Sequence, residues 1–212
     1  ENHDEQRIAS PGFAGDARKG MPAMVVSATI SSAPTMLYFG QHVGEAGAEE
    51  PGFGAPTRTS IYDYIGVPHH QRWMNGGSFD GAALSKEEKE LNDFYSTLLN
   101  FTRNSRALTG EYREIHSFNR EHTQWYNDRV FSYVRWKEED RLIIVSNFDA
   151  DDSFGFELGL PEEIIQAWHL QEGVYTLQDQ LSENTIKLRL AEGKAESRID
   201  LKALQSMILK LQ

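Results

Sequence analysis

Four side chains within the first seven residues could act together on a polar substrate: Asn2, His3, Asp4 and, three places past the aspartate, Arg7. They supply an amide, an imidazole, a carboxylate acceptor and a guanidinium with a fixed fork of donors, the groups that recognise hydroxyls and stabilise developing charge. Such a cluster is either a solvated polar chain end or part of an active site whose remaining groups come from elsewhere. The order of the elements that follow decides between the two.

Other candidate chemistry is thinner. The chain has no cysteine, which excludes disulfides, thiolate metal sites and thiol nucleophiles. His69 and His70 are adjacent, so their side chains point apart, and no third ligand stands at a supporting spacing; no metal site is expected. His42, at the start of a loop, reads either as a substrate contact or as a histidine satisfied by backbone. The net charge is −11, from 32 acidic and 21 basic residues, without a basic cluster interleaved with aromatics, so nucleic acid is not an expected partner. The most apolar run, residues 23–30, is too short to span a bilayer, and no membrane partner is expected. With 39% hydrophobic and 25% charged residues, the composition is that of an ordinary globular chain.

The elements divide at about residue 108. Residues 17–30 read as a polar-to-apolar helix with Pro22 near its first turn. A turn at Ala33-Pro34 leads into a short apolar run at 35–39, suited to a fully buried strand that stops at Gly40. Residues 44–83 lack periodicity but carry Phe53, Tyr62, Tyr64, Trp73 and Phe79, which predicts an ordered, contact-making loop. Ser85 and Glu88 have the spacing of a capping box, and Leu91, Phe94, Leu98 and Phe101 follow at helical intervals. After Leu108 the period changes to two: residues 111–118, 129–136, 141–148, 154–160, 185–190 and 206–211 are short strand candidates separated by turn signals. Six to eight strands in roughly 100 residues predict an antiparallel β-sandwich. If the first seven residues close a strand, then helix, strand, long loop and helix complete the end of a (β/α)8 TIM barrel, in which catalytic groups sit where strands end. The fold class read from the sequence is therefore α/β followed by all-β: a barrel end over residues 1–108 and a β-sandwich over residues 109–212.

At this point the sequence resembles the α-amylase family, glycoside hydrolase family 13. The run ENHDEQRIAS is similar to that family's motif at the end of the seventh barrel strand, with its Asn-His-Asp core and following arginine. The run SAPTMLYFGQHVGE is similar to the eighth strand, matching at Pro34, Tyr38, Gly40 and Gln41; Ala33 stands where glycine is usual and His42 where glutamate is usual. RTSIYDY, QRWMNGGSF, SRAL and NFD continue the resemblance, so that it extends over essentially the whole chain.

The resemblance implies a retaining glycosidase acting on the α-1,4 bonds of starch or maltooligosaccharides. Such an enzyme needs a nucleophilic carboxylate and a carboxylic acid across the scissile bond, and in this family they belong to the fourth and fifth strands, outside these 212 residues. What carries over is Asp4 as the transition-state-stabilising carboxylate, with His3 donating to a hydroxyl of the same glucose unit and Asn2 and Arg7 orienting the strand end. Tyr64 and Trp73 either stack on sugar faces or pin the long loop. No cofactor is expected within this chain, although the complete enzyme is compatible with calcium. The expected partners are an α-glucan and the N-terminal part of the same barrel, without which the chain is expected to be inactive and to leave an apolar surface open. Two other readings remain: a non-catalytic carbohydrate-binding or interaction module, and a related transglycosylase or isomerase. No targeting segment is read, and function alone ranks a secreted, periplasmic or cell-surface location ahead of the cytoplasm.

Overall fold

The computed structural model describes residues 1–47, 59 and 66–212. The chain divides into two compact units, residues 1–21 with 34–97 and residues 22–33 with 98–212. The tyrosines at 62 and 64 and the phenylalanine at 53 fall outside the described residues.

Helical signals in the sequence translate closely. The expected helix at 17–30 is a 3-10 turn, Ala17–Lys19, running into α1, Gly20–Thr29. The capping box forms reciprocally ahead of α3, Lys86–Asn104: the Ser85 amide donates to Glu88 Oε2 at 2.7 Å and the Glu88 amide to Ser85 Oγ at 3.3 Å. Of the residues on the inner stripe of α3, Leu91, Tyr95 and Leu98 are buried, a spacing of four and then three that keeps one face of the helix against its core. A short helix, α2, Pro68–Met74, lies within the region read as loop, with proline in its first turn where no amide partner is lost.

The run at 35–39 does not become a strand. Thr35 and Met36 are exposed, residues 37–39 are half-buried, and the segment enters no ladder. A lone extended segment without a paired neighbour cannot satisfy its backbone groups in a core, and the first unit has no other strand among its described residues. The barrel end expected there is therefore not visible as sheet.

In the second unit the antiparallel β-domain is present. Its strands are β1, Glu111–Glu114; β2, Val130–Lys137; β3, Asp140–Asn147; β4, Phe154–Leu160; β5, Gly173–Asp179; β6, Thr185–Ala191; β7, Lys194–Leu201; and β8, Ser206–Leu211. They form one continuous sheet in the order β1-β2-β3-β8-β5-β6-β7-β4. The sheet curls so that residues of β2, such as Val130 and Val134, share one apolar cluster with Phe156 and Leu158 of the opposite edge strand β4 and with the buried Trp168. The run 111–118 splits: it is a strand only to Glu114, whose carboxylate accepts the Ser117 amide at 2.7 Å and starts a helix, α4, His116–His122. A second short helix, α5, Glu162–Ala167, follows β4.

Asn119 of α4 completes the curl. Its side chain is fully buried; Oδ1 accepts the Gly159 amide at 2.8 Å and Nδ2 donates to the Gly159 carbonyl at 3.0 Å. One amide side chain thus occupies both bonding positions of a residue on edge strand β4, as a neighbouring strand would. Arg135, also buried, donates to the carbonyls of Thr29, Leu108 and Gly110 and ties the end of α1 and the 108–110 turn to β2.

Candidate active site

Residues 1–8 are built around a buried charge pair. Arg7 is fully buried, and its NH1 meets Glu1 Oε2 at 2.7 Å, where the Glu1 carboxylate is itself 4% exposed. Glu1 Oε1 accepts the Ile8 amide at 2.8 Å, and Arg7 NH2 donates to the Phe39 carbonyl. The guanidinium also stacks at 4.5 Å from the Tyr38 ring centroid and 5.0 Å from that of Phe39. Arg7 therefore fastens the first residues to the 38–39 segment through a carbonyl and two aromatic faces at once, which only a planar guanidinium can do.

On this anchor sits a turn. Asn2 Oδ1 accepts the amides of Asp4 at 2.8 Å and Glu5 at 3.0 Å, the pattern by which asparagine folds the chain after it. The result projects Asp4 and His3 outward: their side chains are 76% and 60% exposed, with His3 Nε2 lying 3.3 Å from Asp4 Oδ2. A carboxylate and an imidazole held side by side, on a backbone fixed from beneath, can meet the hydroxyls of a polar ligand with one acceptor and one donor.

An aromatic layer continues from Arg7. Phe39 packs on His70 with ring centroids 5.2 Å apart, His70 stacks on Trp73 at 5.5 Å, and Trp73 meets the edges of His42 at 4.9 Å and Phe79 at 5.5 Å. Burial, reinforced by the neighbouring His70, pushes the His42 imidazole down to about 4; burial and then the charge of Arg7 hold His70 below the ordinary value as well. Both rings are therefore neutral at pH 7. Among the described residues neither nitrogen of the buried His42 ring has a hydrogen-bond partner, so no described backbone group satisfies it as the alternative reading expected.

Helix α2, which carries His70 and Trp73, is set by Glu45. This carboxylate is 1% exposed and its Oε2 accepts the amides of His69 at 3.0 Å and His70 at 3.1 Å. Gly40 makes the arrangement feasible: its φ is +74°, and a Cβ there would lie 2.9 Å from that of Glu45. The far side of α2 is held by Glu88, which accepts Arg72 Nε at 3.1 Å and lies 2.7 Å from His69 Nδ1. Burial raises the Glu88 carboxyl, but the hydrogen bonds from Arg72 and the Ser85 amide outweigh it and leave the group below its usual range. His69 and His70 point to different partners, and among the described residues no three His, Asp or Glu side chains converge on a metal position.

Of the residues singled out by sequence, Asn2, His3 and Asp4 share one turn and Arg7 anchors it. Trp73 belongs to the aromatic layer that reaches Arg7 through His70 and Phe39, and Tyr64 lies outside the described residues. Sequence reasoning did not anticipate Glu1, Glu45 and His70 as the parts that hold these groups. None has a periodic signal, because each acts on backbone or rings distant in sequence. Among the described residues, no helix is long and apolar enough to cross a membrane.

The sequence matches no protein-family model and no curated protein. Its structure does have close counterparts. It is similar to AmyP in complex with maltotriose, with a TM-score of 0.62 at 21% identity, covering 100% of this chain and 40% of that one. A maltogenic α-amylase, AmyB from Thermotoga neapolitana, matches with a TM-score of 0.60 at 14% identity over 100% of this chain and 40% of that one. The α-amylase from H. orenii matches with a TM-score of 0.57 at 14% identity over 100% and 39%. The 212 residues span about 40% of the length of these proteins, at their C-terminal side. Over its whole length, the chain has the fold of the C-terminal part of α-amylase-family enzymes.

Proposed function

We propose that these residues are the C-terminal part of a retaining α-glucan hydrolase, with residues 1–108 ending its (β/α)8 barrel and residues 109–212 forming its β-domain. The observation that carries this reading is the match of the entire chain to the C-terminal 40% of α-amylase-type enzymes, one of them bound to maltotriose. The Asp4 turn supports it locally: an exposed carboxylate beside an exposed imidazole, on a backbone locked by Asn2 and Arg7.

In this reading Asp4 accepts hydrogen bonds from sugar hydroxyls at the cleavage point, and His3 donates to a hydroxyl of the same unit. As the ring flattens toward an oxocarbenium-like transition state, the bonds to a preoriented carboxylate strengthen, so its contribution falls on turnover more than on binding. The nucleophile and the proton donor come from earlier strands of the barrel. Arg7 is a positioning residue: it touches no sugar and sets the turn from which Asp4 projects. Trp73 and Tyr64 would offer ring faces to pyranose units. No cofactor is assigned to these residues, and calcium would belong to the complete enzyme.

Asp4→Asn in the complete protein tests this. Turnover on a maltooligosaccharide should fall on the order of 100-fold or more while KM changes little, the pattern expected when a transition-state contact is lost. His3→Ala should have a milder effect. Near-normal turnover in Asp4→Asn would overturn the assignment.

A further inference from the structure

We infer that the β-domain carries a second α-glucan site, separate from Asp4, formed by a cavity between α4 and the β6–β7 turn and by the exposed indole of Trp125. The cavity measures about 420 Å³, within the roughly 300–1,000 Å³ of small-ligand pockets. Its walls combine the half-buried ring of Phe118 and the imidazole of His122, whose centroids are 4.8 Å apart, with the polar ends of Thr123, Glu162, Lys194 and Glu196. Gly159 opens the floor: a Cβ there would meet the Phe118 ring at 3.0 Å.

Two features mark this as a place for a ligand. Lys194 and Glu196 have no side-chain hydrogen bond or ion pair among the described residues, although both face the cavity and carry opposite charges. Trp125 is 74% exposed and its φ is +69°, a left-handed conformation that a bulky side chain rarely adopts. It lies two residues beyond Thr123, in a turn that is firmly held. The Thr123 amide donates to the Asn119 carbonyl at 2.9 Å, its hydroxyl to Asn119 Oδ1 at 2.7 Å, and the neighbouring Tyr126 hydroxyl is bonded to Ser132 at 2.9 Å. A large ring displayed at a conformational cost on a rigid turn is arranged to contact something.

The chemistry selects the ligand class. An anion would meet Glu162 and Glu196, a cation would meet Lys194, and an apolar molecule would leave Lys194 and Glu196 unpaired, whereas Glu162 already accepts from Gln166 Nε2 at 2.8 Å. A neutral polyhydroxylated ligand uses donors and acceptors of both signs and lays its C–H faces on the rings of Phe118, His122 and Trp125. That describes an oligosaccharide. Its identity as an α-glucan rests on the function proposed above.

Electrophoresis of the complete protein through gels containing soluble starch measures this binding, with dextran gels as the control. Wild type and Asp4→Asn should be retarded alike by starch. Trp125→Ala and the Lys194→Ala/Glu196→Gln double variant should bind at least about 10-fold more weakly, while cleaving a short maltooligosaccharide at the wild-type rate. All the altered side chains are exposed or half-buried, and unchanged thermal unfolding shows that the variants are folded. Retardation of both variants equal to wild type overturns the site even if the protein cleaves maltooligosaccharides. Loss of starch binding in these variants of a protein that cleaves no α-glucan keeps the site and defeats the proposed activity. Loss only in Asp4→Asn assigns all binding to the Asp4 region and overturns this inference.

Discussion

Arg7 offers the sharpest test of how the Asp4 turn is held. Replacing it with leucine removes the partner of Glu1, whose carboxylate is 4% exposed, and the donor to the Phe39 carbonyl. Breaking a buried ion pair from one side costs about 3–5 kcal/mol because the remaining charge is left without compensation. The orphaned carbonyl and the lost stacking on Tyr38 and Phe39 add roughly 1–3 kcal/mol, not independently. The cost falls on one small region, so local opening is the right measure. The Ile8 amide reports it directly, because its acceptor is Glu1 Oε1. Hydrogen exchange of this amide in the complete protein should accelerate by on the order of 100-fold or more in Arg7→Leu, and turnover should fall with it, since a displacement of about 1 Å in a catalytic group costs roughly 100-fold. Arg7→Lys keeps the charge but cannot reach Glu1 and Phe39 while lying flat on two rings, so it should recover only part of the loss. The double variant Glu1→Leu/Arg7→Leu also lacks the acceptor of the Ile8 amide, so the pair is tested by thermal unfolding instead: the double variant should be more stable than Arg7→Leu alone, because no unpaired charge remains. If Arg7→Leu changes the exchange of the Ile8 amide by less than about 3-fold and unfolds at the same temperature as the double variant, the pair is effectively solvated and the anchoring argument fails.

What the sequence made legible was local. The capping box at Ser85 and Glu88 could be read because both partners lie within one turn of helix, and β2, β3, β4, β6 and β8 because their apolar residues are branched or aromatic and bounded by turns. Strand β7 carries no such signal: its inward positions are Ala195, Ser197, Ile199 and Leu201, two of them too small or polar to mark a buried face, and Lys194, Glu196, Arg198 and Asp200 alternate with them. Run 35–39 misled in the opposite direction, since its apolar character required a sheet neighbour that the first unit does not show among its described residues. The same distinction divides the candidate site. Asn2, His3, Asp4 and Arg7 were legible by type and spacing, but their support was not, because Glu45 acts across 24 residues on the His69 amide and Arg7 across 32 on the Phe39 carbonyl. Contacts of that reach leave no periodic trace and are fixed only when the chain is folded.

Two further expectations concern stability. Asn119→Ala should destabilise the β-domain by about 2–5 kcal/mol, since it strands the Gly159 amide and carbonyl on a buried edge, each costing about 1–3 kcal/mol. A urea midpoint within experimental error of wild type at equal slope would refute the view that this side chain completes the sheet. The second expectation is a pH dependence from His42. Its folded imidazole titrates at about 4, whereas in the unfolded chain it titrates near 6.5, so between these values the unfolded state binds the extra proton. Its contribution is therefore fully present above about pH 6.5, declines as the pH falls, and is exhausted below about 4. The full shift would correspond to roughly 3 kcal/mol, but His42 is only partly buried, and solvent screening reduces this to about 1–2 kcal/mol. His70, displaced in the same direction, adds to the loss, while the stabilisation from the lowered Glu88 carboxyl is still present at pH 5 and is lost only as the pH falls below the ordinary carboxylate range. Comparing wild type with His42→Gln at pH 7 and pH 5 isolates the effect: the wild type should lose more stability across this interval than the variant. Parallel losses in the two proteins would show that His42 is hydrated in the folded state, and that the aromatic layer around Trp73 is open to water.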